Sequence, residues 1–412
     1  MTDITRVLVF STLYPNAAQS NHGIFVENRL RHTLELGGIS ASVVAPVPYF
    51  PSSHPLFGRY ARFANVPEHE VRHGIDVVHP RYLVIPKLSQ FTPYFLYRTA
   101  LRIVRSLQKQ GQKFDVIDAH YFYPDGVAAA WLGQKLKIPV VITGRGTDLT
   151  LIPKGAAARR KIQGAISQAS AMITVCEDLR LHLLRLGATE DRTLTLRNGV
   201  DLQQFTPGDR NAARAQFASS RFTWVSVGSL IPRKGHHITI EALARSLDCN
   251  LLIAGSGPLR AELELLAGRL GVGHRVRFLG DVPHAALPGV YRAADVMVLA
   301  SDREGWANVL LEAMACGTPV VATNINGTAE VVKAPAAGRL MTARNPEALL
   351  AAMNELRRNM PSSQETRSYA ELFSWTQTAN ANKALLTAVA QAGYTGRHRP
   401  GLTDSARACI AD

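Results

Sequence analysis

Glu304 and Glu312 are separated by seven residues and lie on either side of a helix start in the second half of the chain. The apolar pattern predicts that Asn308 is the N-cap, with Glu304 in the preceding loop and Glu312 just over one turn inside the helix. Carboxylates accept hydrogen bonds from the paired hydroxyls of a ribose or a hexose, and helix N-terminal amides favour a phosphate. The spacing therefore indicates a ligand with two sugars flanking a diphosphate. A surface loop followed by an exposed helix is the alternative.

Two adjacent cations, Arg233 and Lys234, follow the strand pattern WVSVGS and its terminal Gly228. A guanidinium binds phosphate oxygens in pairs, whereas an ammonium acts as a mobile point charge. The two types together suit a diphosphate at the exit of a strand. A solvated basic turn is the alternative.

Gly255 and Gly257 end a second apolar run, LLIAGSG, ahead of a helix pattern over 259–270. Glycines at this place let the backbone approach a nucleotide and leave helix N-terminal amides free. The fingerprint G-x-G-x-x-G is incomplete, because position 260 is arginine, so an ordinary turn is the alternative. No intact fingerprint follows the first strand either, which argues against a nicotinamide dehydrogenase.

Short Val- and Ile-rich runs alternate with longer amphipathic stretches along the whole chain. Runs without polar alternation indicate strands buried on both faces of a parallel sheet, with helical crossovers between them. This pattern predicts a doubly wound α/β protein, in which ligands bind beyond the carboxyl ends of the strands. The predicted strands are RVLVF, ASVVAPV, VIDAH, PVVITG, MITVCE, WVSVGS, LLIAGSG, VRFLG, VMVLAS and PVVATN.

Linker composition around RNGVDLQQFTPGDRNAARA predicts a domain boundary near Thr206. The predicted organisation is an N-terminal domain over 1–205, a C-terminal domain over 206–374, a last helix over 375–392 and a poorly ordered tail over 393–412.

The 412 residues are 46% apolar, 7% aromatic and 19% charged, which excludes a disordered, collagen-like or disulfide-stapled protein. The formal net charge is +14, and residues before Thr206 hold 24 basic and 15 acidic side chains, so the N-terminal half carries most of the excess. This charge favours phosphorylated ligands, anionic lipid headgroups or nucleic acid as partners.

The four cysteines lie far apart and form no CxxC pair, so neither a zinc site nor a disulfide framework is predicted, and no other metal site is expected. No apolar run approaches the ~18 residues of a spanning helix, and the opening run is too short for a signal-peptide core. The expected location is a reducing compartment, the cytoplasm, with peripheral attachment to the inner face of the plasma membrane as the alternative.

Taken together, the Glu304-x7-Glu312 pair, the run NVLLEAMACGTPVVAT, the Arg233-Lys234-Gly235 loop and AGSGP resemble the retaining GT-B glycosyltransferases of family 4, or group 1. The likeness extends from Tyr14-Pro15 to Phe373-Ser374-Trp375. The stretches GIFVEN, VVAPVPYFP, DAHYFYPDG and TGRGTDL look most like the bacterial branch that builds exopolysaccharide or teichuronic-acid-type polymers. The resemblance implies two Rossmann-like domains with parallel sheets facing a cleft, and a last helix that returns to the N-terminal domain.

The resemblance also implies roles for individual residues. Arg233 and Lys234 would clamp the diphosphate, Glu304 would bind donor-sugar hydroxyls, and His120 would lie near the donor sugar as a fourth catalytic position. Arg145 and Asp148 would lie on the acceptor side. The implied donor-binding positions are Gly23, Gly228, Gly255, Gly257, Val282, Trp306, Ala307, Asn308, Val309 and Glu312, the last as partner of the ribose hydroxyls. A loop glycine, a strand-end histidine and an N-cap aspartate are the alternatives for Gly23, His120 and Asp148.

The chain departs from the family pattern at two places that matter. Ala307 stands where the family commonly has glycine, so a methyl group occupies a place where backbone often meets the sugar. Arg145 stands where many relatives have histidine. This arginine suggests an anionic group nearby or is a residue typical of this branch of the family.

The reaction implied is transfer of a glycosyl group from a UDP- or GDP-sugar to a glycan or lipid-linked hydroxyl, with retained anomeric configuration. No carboxylate pair is placed as in retaining hydrolases, which fits a front-face route without a covalent intermediate. No Asp-x-Asp occurs, so no divalent metal and no cofactor are expected. A sugar-nucleotide epimerase or phosphorylase of the same fold is one alternative. A nucleic-acid-binding protein is another, although basic and aromatic residues are not interleaved.

A helix predicted over 94–109 places Arg98, Arg102, Arg105 and Lys109 along one face, and Arg159-Arg160-Lys161 forms a second basic cluster. Such clusters favour an anionic membrane surface, where lipid-linked acceptors are found. A solvated helix face is the alternative.

Overall fold

The computed structural model describes residues 4–85, 88–217 and 221–395. The chain divides into two compact units, one formed by Met1–Asn198 with Thr376–Asp412 and the other by Gly199–Trp375.

The N-terminal unit contains an eight-stranded sheet in the order β10-β9-β8-β7-β1-β2-β5-β4. All neighbours are parallel except the antiparallel pair β4 and β5 at one edge, and β3 pairs with β6 in a separate ribbon. The strands of this unit are β1 (Thr5–Phe10), β2 (Ile39–Val44), β3 (Val47–Pro48), β4 (His69–Arg72), β5 (Ile75–Val78), β6 (Arg81–Tyr82), β7 (Val116–His120), β8 (Val140–Gly144), β9 (Ala171–Thr174) and β10 (Thr193–Thr195). Its helices are α1 (Ile24–Glu35), α2 (Ala61–Ala64), α3 (Thr92–Lys109), α4 (Val127–Leu136), α5 (Thr147–Thr150), α6 (Ala156–Gln168) and α7 (Glu177–Arg185).

The C-terminal unit contains a six-stranded sheet in the order β13-β12-β11-β14-β15-β16, and every pair of neighbours is parallel. The strands are β11 (Phe222–Val227), β12 (Cys249–Ala254), β13 (Val276–Gly280), β14 (Val296–Leu299), β15 (Val320–Thr323) and β16 (Gly338–Met341). The remaining helices are α8 (Arg210–Ala215), α9 (His236–Ala244), α10 (Arg260–Arg269), α11 (Leu287–Ala293), α12 (Asn308–Ala315), α13 (Asn326–Val331), α14 (Pro346–Arg358), α15 (Ser363–Glu371) and α16 (Trp375–Ala392). Short 3-10 turns include Ser89–Phe91, Pro232–Lys234 and His284–Ala286.

Each sheet is buried by helices because its central strands are apolar on both faces. In the N-terminal unit, Val26 of α1 and Leu385 of α16 pack on Val9 and Val43 of neighbouring strands. In the C-terminal unit, Leu349 of α14 belongs to the cluster around Trp224 and Val298, with α9 contributing Ile240. The ten predicted runs all contain strands, and the prediction of a doubly wound α/β protein is confirmed.

The structural division lies between Asn198 and Gly199, whereas the sequence places the boundary near Thr206. The intervening linker belongs to the C-terminal unit because Arg367 donates to the carbonyl oxygens of Leu202 and Phe205. The last helix begins at Trp375, and all its later residues belong to the N-terminal unit. Most of the segment expected as a poorly ordered tail, 396–412, lies outside the described residues.

The N-cap prediction for Asn308 is wrong by one position. The helix α12 already includes Asn308, and Ala307 precedes it in a non-helical conformation without a side-chain cap. Among the described residues, no helix combines the length and apolar character needed to cross a bilayer.

Candidate active site

Lys234 and Glu304 meet at the carboxyl ends of two neighbouring parallel strands of the C-terminal unit. Lys234 ends the turn that follows β11, and Glu304 lies in the loop after β14, which pairs with β11. The Lys234 ammonium lies 2.6 Å from Glu304 Oε1, and Arg233 Nη1 lies 3.4 Å from Oε2. Ser301 donates to Oε1 at 2.7 Å. The structure therefore brings three of the predicted catalytic residues into one cluster, which we call the Glu304 cluster.

The Glu304 cluster is partly open to solvent. The side chains of Arg233, Lys234 and Glu304 are 28%, 14% and 10% exposed. Burial alone would raise the pKa of Glu304, but the charges of Lys234 and Arg233, with the hydrogen bonds from Lys234 and Ser301, hold it below its usual value. The carboxylate is therefore ionised, and the two cations share one anion.

Gly228 and Gly255 are needed for the packing of the two strand ends. Gly228 has a φ of 151°, and a Cβ there would lie 3.3 Å from Cε of Lys234. Gly255 has a φ of 144°, and a Cβ there would lie 2.0 Å from the carbonyl oxygen of Gly228. A Cβ at Gly257 would lie 2.5 Å from the carbonyl oxygen of Leu230. These glycines let the loops pack on one another and leave room for the Lys234 side chain.

Glu312 is held by a separate set of partners, which we call the Glu312 network. Tyr291 donates to Glu312 Oε2 at 2.9 Å, and His284 Nε2 lies 3.1 Å from Oε1. The side-chain amide nitrogen of Gln204 lies 3.1 Å from the other ring nitrogen of His284, and Phe205 packs edge-on against the ring. Glu312 is 9% exposed. Both carboxylate oxygens are therefore already engaged by side chains of the same unit.

The start of α12 lies close to both glutamates in sequence and is mostly buried. Trp306 packs against Phe373 with ring centroids 6.1 Å apart, and Trp306 and Ala307 are 7% and 3% exposed. The Ala307 methyl group thus lies inside the unit. Asn308 and Val309 are half-buried, as is Val282 between β13 and the turn that carries His284.

His120 and Arg145 meet at the carboxyl ends of β7 and β8 in the N-terminal unit. Arg145 Nη2 lies 2.7 Å from His120 Nδ1. A guanidinium only donates, so Nδ1 accepts and the ring proton sits on Nε2, which lies 3.4 Å from Asp118 Oδ2. Burial lowers the pKa of His120, an effect that Asp118 opposes. His120 is therefore a neutral, buried histidine whose two nitrogens face protein groups.

Arg29 completes this buried group, which we call the Asp118 cluster. Arg29 and Arg145 both donate to Oδ1 of Asn198 at 3.0 Å. Burial would raise the pKa of Asp118, but His120, Arg29 and Arg145 together lower it. The cluster fixes the ends of β7 and β8 to the last residue of the unit.

Asp148 and Gly23 hold loops of the N-terminal unit. Asp148 is fully buried and accepts the backbone amides of Phe122, Arg145 and Gly146. It lies one residue inside α5, whose N-cap is Gly146. Gly23 has a φ of 70°, and a Cβ there would lie 2.4 Å from the carbonyl oxygen of Leu13.

Sequence reasoning missed several partners of these clusters. Ser301 ends the predicted run VMVLAS, so its position at a strand end was available as a signal. Asp118 is a charge inside an otherwise apolar strand, VIDAH, which is a second signal. His284 and Tyr291 lie 28 and 21 residues before Glu312. They belong to no recognisable sequence motif that would have indicated their contact with it.

Comparison with known proteins agrees with this architecture in both units. A family model described as "Glycosyl transferases group 1" matches residues 209–373, and one described as "Glycosyltransferase Family 4" matches residues 60–204. The D-inositol 3-phosphate glycosyltransferase of Geodermatophilus obscurus is 33% identical over 74% of this chain and 73% of that protein. The putative teichuronic acid biosynthesis glycosyltransferase TuaC of Bacillus subtilis is 27% identical over 79% of this chain and 82% of that protein.

Solved structures share the fold at lower identity. Sucrose-phosphate synthase from Thermosynechococcus elongatus superposes with a TM-score of 0.73 at 21% identity, covering 91% of this chain and 96% of that one. HepE from Anabaena, solved in complex with UDP, superposes with a TM-score of 0.70 at 20% identity, covering 93% and 99%. The two Rossmann-like units, the two family models and these relatives show that the chain belongs to the family 4, or group 1, glycosyltransferases of GT-B fold.

Proposed function

We propose that the chain transfers a glycosyl unit from a nucleotide diphosphate sugar to a hydroxyl of a lipid-linked glycan, in the synthesis of a bacterial surface polysaccharide. The observation that carries the donor class is the Glu304 cluster, where two cations share one carboxylate while both remain partly exposed. A diphosphate approaching this cluster can take over the two cations. Glu304 is then left with Ser301 and becomes available to donor-sugar hydroxyls.

The cluster supports transfer with retained configuration. In such a step the bond from the anomeric carbon to the diphosphate oxygen breaks, the bond to the acceptor oxygen forms, and the acceptor proton passes to the departing diphosphate. Lys234 and Arg233 stabilise the charge that develops on that leaving group. Before the donor binds, Lys234 and Arg233 stabilise the ionised form of Glu304 and lower its pKa. Once the donor is bound, we assign Glu304 to donor-sugar hydroxyls and not to a covalent or proton-transfer role. The cations supply the positive charge that a metal would otherwise provide, so we propose that transfer needs no divalent ion.

The acceptor class is suggested by the relatives. TuaC is named for teichuronic acid biosynthesis, which favours a growing polymer as the acceptor. Several relatives are named D-inositol 3-phosphate glycosyltransferases, so an inositol phosphate is the acceptor to compare. HepE was solved with UDP and with UDP-glucose, which makes UDP the first nucleotide to try.

Donor binding is tested by thermal unfolding in the presence of UDP-, GDP- and ADP-sugars. A ligand of the native state raises the unfolding midpoint, and saturation at about 100 times Kd stabilises by about 2.7 kcal/mol. We expect one nucleotide class to raise the midpoint, and we expect Lys234→Ala to lose that shift. Lys333→Ala removes the same charge from an exposed site of the same unit and should keep it. No shift with any nucleotide sugar would overturn the proposal.

The reaction is tested with the nucleotide sugar that binds. Release of nucleoside diphosphate only when acceptor is present indicates transfer, whereas isomerisation of the sugar without acceptor would indicate an epimerase. The anomeric configuration of the product, read by NMR, decides retention. Activity in a chelator should equal activity in its absence, and restoration by added Mg²⁺ or Mn²⁺ would contradict metal independence.

A further inference from the structure

Lys234 and Glu304 belong to two different loops, and the spacing of these loops decides whether the two side chains meet. We call them the Lys234 turn, Pro232–Lys234 after β11, and the Glu304 loop, 300–304 after β14. The ion pairs of Glu304 with Lys234 and Arg233 join the two loops. A diphosphate that takes over the two cations removes these links, so the loops need other contacts to keep their spacing.

Arg344 makes such a contact, because its guanidinium binds one main-chain carbonyl oxygen in each loop. Nε donates to the carbonyl oxygen of Ala300 at 2.9 Å, and Nη2 donates to that of Pro232 at 3.2 Å. A carbonyl oxygen only accepts hydrogen bonds, as phosphate oxygens do, so a donor diphosphate does not compete for these two oxygens. The bridge can therefore persist when Lys234 and Arg233 exchange Glu304 for a ligand.

Arg344 reaches the two loops from the edge of the sheet. It lies three residues after β16 and directly before Asn345, the N-cap of α14. The Asn345 side chain accepts the amide of Ala348 at 2.8 Å, which fixes the backbone beside Arg344. Since β15 and β14 separate β16 from β11, the arginine side chain extends across the carboxyl ends of neighbouring strands.

The Lys234 turn and the Glu304 loop touch where Arg344 binds. The amide of Asp302 donates to the carbonyl oxygen of Arg233 at 2.9 Å. A Cβ at Gly235, directly after the turn, would lie 2.0 Å from the carbonyl oxygen of Ala300. The oxygen that accepts from Arg344 Nε thus lies at the contact between the loops, so Arg344 acts directly on their spacing.

We propose that Arg344 is a positioning residue of the donor site, which holds the Lys234 turn and the Glu304 loop at a fixed spacing. The inference rests on the proposed function, because it assigns Arg344 to the reaction of that same site. Arginine suits this role, since its planar fork carries donors on separate nitrogens, whereas lysine has one nitrogen on a flexible stem. Within the described residues Arg344 forms no ion pair, so the two carbonyl oxygens are the groups that orient it.

The first measurement is the pKa of the Glu304 carboxyl group, read by NMR from the pH dependence of its carbon-13 chemical shift. The charges of Lys234 and Arg233 hold this pKa below its usual value. Arg344→Lys keeps a positive charge but offers one nitrogen to two carbonyl oxygens, so the loops lose their fixed spacing. The two cations then act less strongly on Glu304, and we expect its pKa to rise toward the usual value.

The matched control is Arg339→Lys. Arg339 lies in β16 and donates to the carbonyl oxygens of Pro335 and Gly338, near the amino end of that strand. This substitution should leave the pKa of Glu304 unchanged. An unchanged pKa of Glu304 in Arg344→Lys, or an equal rise in Arg339→Lys, would overturn the proposal.

The second measurement is the Kd of UDP, by isothermal titration calorimetry on the same two variants. We expect Arg344→Lys to bind UDP about tenfold more weakly, which corresponds to roughly one lost hydrogen bond, and Arg339→Lys to bind it as the unchanged protein does. If Arg344→Lys kept the full affinity, charge alone would suffice and the positioning role would be wrong. Absence of UDP, GDP and ADP binding to the unchanged protein would count against the proposed function, and the pKa of Glu304 would still decide whether Arg344 holds the two loops.

Discussion

The Glu304 cluster and the Asp118 cluster contain similar charged residues but differ in how far these residues are exposed to solvent. Each contains one carboxylate and two cations. Glu304 is ion-paired with Lys234 and Arg233. Asp118 is influenced by the charges of Arg29, from α1, and of Arg145, at the end of β8, without a direct ion pair. The cations around Glu304 have side chains 28% and 14% exposed. Arg29, Asp118 and Arg145 are 1%, 3% and 9% exposed as whole residues.

This difference decides what each cluster can do. A partly exposed cation can exchange its carboxylate for a ligand phosphate, because water and the ligand both reach it. A buried cation that loses its carboxylate is left uncompensated in a medium of low polarity. Arg29 and Arg145 also hold Asn198, the residue at which the first segment of the N-terminal unit ends. We therefore propose that the Glu304 cluster binds the ligand and that the Asp118 cluster positions His120 and Asn198.

Asp118→Asn should give the largest effect on stability. The substitution keeps the shape of the side chain and removes the buried carboxylate charge that lies 3.4 Å from His120 and acts electrostatically on Arg29 and Arg145. We expect the free energy of unfolding of the N-terminal unit to fall by about 3–5 kcal/mol, measured by urea denaturation. Asp191→Asn, at an exposed position of the same unit, should change it by less than about 0.5 kcal/mol. Equal stability of the two variants would remove the distinction between the clusters.

Glu304→Gln should affect turnover more than it affects stability. Because Lys234 and Arg233 keep some access to solvent, we expect the free energy of unfolding to fall by less than in Asp118→Asn, by about 1–3 kcal/mol. Turnover should fall by about 10²–10³, the range seen when one group that stabilises developing charge is removed. Turnover is measured by release of nucleoside diphosphate in the presence of acceptor. Near-normal turnover would exclude Glu304 from the site.

The convergence of the Glu304 cluster was predictable from the sequence for a physical reason. Buried parallel strands read as apolar runs, and the carboxyl ends of such strands meet at one edge of the sheet. Residues that directly follow two such runs therefore come together, as Lys234 and Glu304 do. The strands β4, β5, β6, β10 and β16 were missed, because each is only two to four residues long and includes polar residues, so no continuous apolar run marks it.

The partners of Glu312 and the members of the Asp118 cluster could not be predicted from the sequence, for different reasons. His284 and Tyr291 reach Glu312 from a turn and from α11, and no spacing rule relates these elements to α12. Arg29 lies in the amphipathic helix α1, where an arginine predicts an exposed position, yet it is 1% exposed. Its burial is explained by tertiary contacts, in which Arg29 donates to the carbonyl oxygen of Leu196 and to the side chain of Asn198.

Tyr291→Phe tests the Glu312 network with a smaller expected effect. The variant removes the hydroxyl that donates to Glu312 Oε2 and leaves a buried carboxylate oxygen without that partner, which costs about 1–3 kcal/mol. We expect the Kd of the donor nucleotide to rise about tenfold as Glu312 loses its fixed position. Tyr369→Phe removes a hydroxyl that binds the carbonyl oxygen of Val331 in the same unit and should leave the Kd unchanged. An unchanged Kd in both variants would indicate that the fixed position of Glu312 does not contribute to nucleotide binding.

His284 should give the smallest effect, as a pH dependence of stability. Burial would lower the pKa of His284, and the Gln204 amide, which faces Nδ1 as a donor, also favours the neutral ring. The hydrogen bond and charge of Glu312, with the charge of Asp201, outweigh burial and raise the pKa above its usual value. The protonated ring therefore stabilises the folded unit fully below the unfolded pKa of about 6.5, and this contribution is lost as the pH rises through the folded-state pKa. We expect the free energy of unfolding of the C-terminal unit to fall by no more than about 1 kcal/mol across this window.

This loss is measured by urea denaturation at a series of pH values on both sides of the unfolded pKa. His284→Gln should abolish the slope, because it removes the titrating group opposite Glu312. His274→Gln, at an exposed position of the same unit, should keep it. A slope that persists in His284→Gln would assign the titration to another group, and a slope of opposite sign would mean that burial outweighs Glu312 at this ring. Either result would mean that His284 is neutral and donates a hydrogen bond to Glu312. The negative charge of Glu312 would then be uncompensated in its network, whereas two cations compensate the charge of Glu304.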